Sequence, residues 1–164
     1  MLKNQSTDSG VYNYLQKILF SFQLKFYLCT VEIIAINMTN IGFTSEHLSE
    51  IAVAGIQEKK GEKITKLDMR GIDGSVCDFF VICQADNPRQ VLAIADSVED
   101  FVFENTKQWP YHREGKENAE WVLLDYVDVV VHIFLDEKRD FYKLEKLWAD
   151  APRTDYPDED PSKK

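Results

Sequence analysis

Residues 121–148 read WVLLDYVDVVVHIFLDEKRDFYKLEKLW, and this stretch decides the fold. Two strand-like runs, 121–126 and 129–135, flank a very short polar break. An amphipathic segment ending in Leu147 and Trp148 follows at once, with Phe141, Leu144, Leu147 and Trp148 expected on one face of a closing helix. A hairpin that runs straight into a helix serves packing and surface display. The stretch holds no readable set of nucleophile, base and orienting group, so it points to binding rather than catalysis.

Upstream of the hairpin the elements follow from local chemistry. Leu48, Ile51, Ala52, Gly55 and Ile56 recur at helical spacing behind a polar Thr44-Ser45-Glu46 start. Lys59, Lys60 and Gly61 then supply a cationic last turn and a terminal glycine. Ile64 to Met69 alternates as a short strand, Gly71 to Gly74 turns the chain, and Phe79 to Cys83 reads as a buried strand. Asn87-Pro88 is a helix start, a capping residue followed by proline in the first turn. Val91, Ile94, Ala95, Val98 and Val102 give that helix an apolar face, and 107–119 is expected to be a polar loop. Beyond Pro152 the run TDYPDEDPSKK has almost no apolar anchor, so 151–164 is expected to be a disordered acidic tail. The expected order is αββαββα, an α+β (mixed α/β) domain with a small mixed sheet covered by helices. Residues 38–150 form that domain, with no internal repeat and no second domain.

The first 37 residues stand apart. The segment 12–36 is rich in Leu, Ile, Phe and Tyr, but Lys17, Lys25 and Glu32 interrupt it. It falls short of the roughly 18–20 uninterrupted apolar residues of a membrane span, and it lacks a clean signal cleavage site. Met38 is the expected start, with 1–37 an upstream stretch or non-core extension; a short membrane-associating extension is the alternative.

Composition narrows the function classes. The chain has 164 residues, 45% hydrophobic and 29% charged, with net charge −9 and pI near 4.8. Such a surface repels nucleic-acid phosphates and suits a basic protein partner. Cys29, Cys77 and Cys83 match neither a disulfide framework nor a zinc motif. Were Cys77 and Cys83 on one strand, about 20 Å would separate them. Reduced thiols in a cytoplasmic protein are the plain reading, with no cofactor or metal expected.

Several blocks together resemble the ribosomal silencing factor, or Iojap, family. They are DFFVIC (Asp78 to Cys83), RQVLAIAD (Arg89 to Asp96), EWVLLDYVDVVVHIF (Glu120 to Phe134) and FYKLEKLW (Phe141 to Trp148), in order and spanning about Leu48 to Trp148. Two departures stand out. The family usually places glycine between the hairpin aspartates, where this chain has Val127, a β-branched residue that resists positive φ. It usually has a Thr- or Ser-rich turn after the second strand, where this chain has Gln84-Ala85-Asp86.

The resemblance implies a protein that docks on the large ribosomal subunit through the basic ribosomal protein uL14. It implies a block on subunit joining, which represses translation, with little direct nucleic-acid binding. Trp121 is the first contact candidate, an aromatic opening a strand beside a polar loop; an ordinary core tryptophan is the alternative. Glu114, Glu117 and Glu120 are candidates for pairing with cationic side chains, and Tyr126 is a weaker one. His132 reads as a hydrogen-bonded packing residue.

An enzyme is the rival reading. The resemblance implies a nucleotidyltransferase-like fold, and such enzymes hold two divalent cations with carboxylates at alternate strand positions. Here Asp78 could be the first, but the second position is Phe80, which cannot ligate a hard cation. The expectation is therefore that fold without its catalytic carboxylate pair. A generic protein-interaction module is the third reading.

Overall fold

The computed structural model describes residues 43–158. The elements are α1 (Ser45–Glu58), β1 (Glu62–Asp68), β2 (Phe79–Ala85), α2 (Pro88–Thr106), β3 (His112–Glu114), β4 (Trp121–Asp125), β5 (Val129–Leu135), α3 (Asp136–Tyr142), α4 (Leu144–Leu147) and β6 (Arg153–Asp155). They build an α+β domain on a six-stranded mixed sheet ordered β3-β4-β5-β2-β1-β6. The central pair, β2 and β5, is parallel, and every other pair is antiparallel.

The two long helices start where their caps dictate. The Thr44 hydroxyl accepts the His47 amide at 3.2 Å, and the Asn87 side-chain Oδ1 accepts the Gln90 amide at 3.0 Å ahead of Pro88. Each satisfies an amide that the helix leaves without an internal partner. Both helices cover one face of the sheet. Leu48, Ala52, Ile56, Val91, Ile94 and Val98 pack there with Phe79, Val81, Val122, Leu124, Val131 and Ile133 in a single core. The helices meet at Gly55, whose carbonyl accepts the Ser97 hydroxyl at 2.9 Å. A β-carbon on Gly55 would stand 2.9 Å from the Val98 α-carbon, so only glycine permits this approach.

Alternate strand residues serve the other face. Phe80, Trp121, His132 and Phe134 form an aromatic layer with Tyr142 and Trp148 from α3 and the end of α4.

Three expectations fail here, each for a physical reason. The loop 107–119 contains β3, because the outer edge of β4 offers ladder groups that His112 and Glu114 meet opposite Asp125 and Leu123. Three polar residues give no alternating pattern to read. The closing helix is two helices, broken at Lys143, whose φ is +48°. The break changes the helical phase: Leu144 is buried, whereas Phe141 and Leu147 are 61% and 50% exposed. Those residues therefore do not share one buried face.

The tail, finally, is ordered through Asp158. Arg153–Asp155 pairs with β1, Ala151 is buried, and the Tyr156 amide donates to the Ile64 carbonyl at 2.9 Å. Backbone hydrogen bonding to a sheet edge needs no apolar pattern, so composition gave no sign of it. Residues 1–42 and 159–164, including the Met38 start and the end of the tail, lie outside the described residues.

The hairpin turn is unusual. Val127 has φ +76°, the Asp128 amide donates to the Tyr126 carbonyl at 3.0 Å, and the Val127 amide donates to Asp125 Oδ1 at 2.7 Å. A bond from residue i+2 back to residue i about a positive-φ centre is a direct γ-turn, the strained member of its class. The resisting valine adopts the conformation all the same, held by the register of β4 and β5 on either side.

Candidate functional site

Trp121 opens β4, where the chain leaves the 115–120 turn. Gly115 sets that turn: its φ is +84°, and a β-carbon there would fall 1.8 Å from the Trp121 carbonyl oxygen. The glycine thus fixes where the tryptophan enters the sheet. The indole lies 4.8 Å from the Phe134 ring and 4.9 Å from the Tyr142 ring, centroid to centroid. Its Nε1 donates to His132 Nδ1 at 3.3 Å. Trp121 is half-buried, an anchor of the aromatic layer that still reaches solvent.

His132 is the polar member of that layer. Burial lowers its pKa to about 3, so the ring is neutral. Accepting at Nδ1 requires the proton on Nε2, which is buried with no hydrogen-bond partner. The arrangement orients the Trp121 indole and does no acid–base work near neutral pH.

The acidic candidates divide. Glu120 is exposed; its carbonyl accepts the Leu135 amide at 2.9 Å, and its carboxylate pairs with Lys138 Nζ at 3.0 Å. It therefore lies between Trp121 and α3. Glu114, exposed on β3, pairs with His112 Nε2 at 2.6 Å, opposite Leu123 and so near the same end of β4. Glu117 is exposed in the turn between them. Tyr126 does not belong to this group. It is buried in the helix-covered core, and burial raises its phenol pKa. A partner cannot reach it, because Tyr126 follows the last inward-facing position of β4.

Phe141 and Leu147, expected with Leu144 and Trp148 on one face of the closing helix, are exposed instead. Phe141 lies edge-on to Tyr142 at 5.1 Å, and Tyr142 in turn contacts Trp121, while Leu147 precedes Trp148. Apolar residues at helical spacing read as buried, and only the break at Lys143 turns these two outward. The surface that results joins the half-buried Trp121 to the exposed Phe141 through Tyr142, with the Glu120–Lys138 pair beside Trp121. That combination is the usual make-up of a protein-docking patch.

The carboxylate positions give no comparable site. Asp78 accepts the Ser45 hydroxyl at 2.6 Å, and Phe80 is buried against His132 and Trp148. Burial raises the Asp128 pKa, and the charges of Asp78 and Asp125 raise it further. Burial also pushes the Cys83 thiol up to about 12, as suits a core thiol. Among the described residues no three His, Cys, Asp or Glu side chains are grouped to hold a metal ion, and no helix is long and apolar enough to cross a membrane.

Comparison with known proteins places this geometry. The family model described as "Ribosomal silencing factor during starvation" matches residues 43–164, β6 included. The chain is 46% identical over 106 residues to the ribosomal silencing factor RsfS of Bacillus subtilis, covering 65% of this chain and 88% of that one. A crystal structure from Bacillus halodurans is similar at 40% identity, covering 68% of this chain and 99% of the other, with a TM-score of 0.59. Another, from Chromobacterium violaceum, is similar at 32% identity, covering 73% and 92%, with a TM-score of 0.62.

Proposed function

Since this chain belongs to the ribosomal silencing factor family, we propose that it docks on the large ribosomal subunit in the cytoplasm, with ribosomal protein uL14 as its partner. Occupying that protein's intersubunit face blocks subunit joining and represses translation. The observation that carries this reading is the half-buried Trp121 joined through Tyr142 to the exposed Phe141, with the Glu120 carboxylate beside it. Its charge suits a basic protein lying amid ribosomal RNA, because a chain of net charge −9 is repelled by the phosphates and drawn to the protein between them. Glu120 and Glu114 steer the encounter, and Trp121 supplies the buried anchor. The protein acts by occupancy and not as an enzyme, on a nucleotidyltransferase-like fold whose second metal position is taken by Phe80.

The test is co-sedimentation with purified large subunits, with thermal melts alongside. Trp121→Ala should weaken binding by about thirtyfold, the effect of losing roughly 2 kcal/mol at a hot spot. Because Trp121 also supports the aromatic layer, Phe141→Ser provides a variant at a position exposed enough to leave the fold intact. Glu120→Lys should chiefly slow association and make it less salt-sensitive. Folded Phe141→Ser and Glu120→Lys that both co-sediment like the parent would move the interface elsewhere. A parent that fails to co-sediment would overturn the ribosomal reading itself.

A further inference from the structure

On the β1–β6 side of the sheet lies an open cleft of about 540 Å³. Three distant parts of the chain build it: Lys63 to Thr65 on β1, Arg139 to Lys146 on α3 and α4, and Arg153 to Asp158 at the C-terminal end. Its floor is Arg139, whose side chain is 8% exposed. The guanidinium is held on several sides: Nε donates to Glu145 at 2.8 Å, Nη1 to the Lys63 carbonyl at 2.7 Å, and Nη2 to the Thr65 hydroxyl at 3.3 Å.

The charges around this floor are uneven. Four carboxylates line the cleft, and two are neutralised by ion pairs, Glu145 by Arg139 and Asp155 by Arg153. Asp140 and Asp158 keep their charge, Asp158 while accepting the Lys63 backbone amide at 2.7 Å. Against them stand the ammonium groups of Lys63, Lys143 and Lys146, all exposed, none forming an ion pair among the described residues. On a chain of net charge −9 the cleft thus carries a small positive excess, three ammonium groups to two unpaired carboxylates. Of its apolar lining residues, Ile64 and Tyr156 turn their side chains to the α1-covered core, Tyr156 with its hydroxyl on Glu50 at 2.8 Å, and Pro157 is exposed.

We propose that this cleft binds a small phosphorylated ligand of about nucleoside-diphosphate size. The volume falls in the ordinary range for small-molecule sites, about 300–1,000 Å³. Lysine ammonium groups on flexible stems are phosphate binders that act as point charges and adjust to the ligand, while the fixed Arg139 keeps the floor in shape. A cationic ligand would meet three ammonium groups, and a neutral one would leave them unused. The site is separate from the Trp121 patch, so the proposal stands or falls independently of ribosome docking. Nothing in the linear sequence announces it, because Lys63 meets Lys143 and Lys146 only when the closing helices fold back beside β1.

Isothermal titration of the full-length chain with pyrophosphate, ADP and GDP, at low and at physiological salt, tests the proposal. The expected result is saturable one-to-one binding that weakens with salt, with pyrophosphate competing against both nucleotides. The paired variant Lys143→Glu/Lys146→Glu should bind about tenfold or more weakly, equivalent to 1.4 kcal/mol or more, while melting like the parent without ligand. Lys146→Gln, which removes charge without reversing it, should show a smaller loss in the same direction. Absence of saturable binding for all three probes overturns the proposal, as does equal binding by the paired variant. Binding only to a single-stranded RNA oligonucleotide, with no competition from mononucleotides, would also overturn it and make the cleft an RNA footing.

Discussion

Val127 gives the sharpest test of the backbone described here. A left-handed conformation costs a residue with a β-carbon roughly 1–2 kcal/mol, and glycine almost nothing. Replacing Val127 by glycine alone would mix strain relief with loss of the half-buried side chain, so two variants are needed. Val127→Ala and Val127→Gly lose nearly the same packing and keep the amide that donates to Asp125 Oδ1 at 2.7 Å. They differ in two respects: alanine keeps the strain at φ +76°, and glycine has the more flexible unfolded chain, worth roughly 0.4–1 kcal/mol. The strain is the larger, so glycine should be the more stable of the two by about 0.5–1 kcal/mol. At an ordinary negative-φ position alanine leads instead. Urea melts with equal m-values would read the difference directly, and in thermal melts it amounts to about 2–4 °C. An alanine variant equal to or more stable than the glycine variant would refute the γ-turn.

Further expectations concern the core and the buried histidine. Ile94→Ala removes a side chain with no solvent exposure and should cost about 2–5 kcal/mol in denaturant melts. Gly55→Ala forces α1 and α2 apart against the Val98 backbone and should destabilise by about 1–3 kcal/mol, although alanine is the better helix former. His132 titrates near 6.5 when unfolded and at about 3 when folded. Its contribution to stability is therefore complete above pH 6.5 and is lost as pH falls from there towards 3. His132→Phe, which keeps an aromatic ring beside Trp121, should flatten that acid-limb slope in melts taken across the window; an unchanged slope would place its source elsewhere.

Much of the fold was legible because its signals are local. Asn87-Pro88 cannot readily be anything but a helix start, and the valine-rich run of β5 cannot readily be exposed. The segments that escaped reading are those whose conformation is decided at a distance. β3 and β6 carry no pattern of their own and are strands because a neighbouring edge needs partners. The break at Lys143 is likewise silent in the sequence, since FYKLEKLW reads as one amphipathic turn after another. The candidate site divided along the same line. Trp121 and Glu120 were visible as residue types in a suggestive place. Phe141 and Leu147 depended on the break, and the inaccessibility of Tyr126 depended on which sheet face the end of β4 presents.

The parallel pairing of β2 with β5 bears on how the chain comes into being. Its partners stand 50 residues apart along the chain, while the β4–β5 hairpin closes across only three. During synthesis, β1 and β2 emerge early and must wait for β5 before the sheet has a centre. The outer side of β1 waits longer still, until Arg153–Asp155 has followed α4. Until then the nascent domain carries an open hydrogen-bonding edge, and a premature stop shortly after α4 would leave it so permanently. Such truncated chains should be recognised by their tendency to pair with one another along β1.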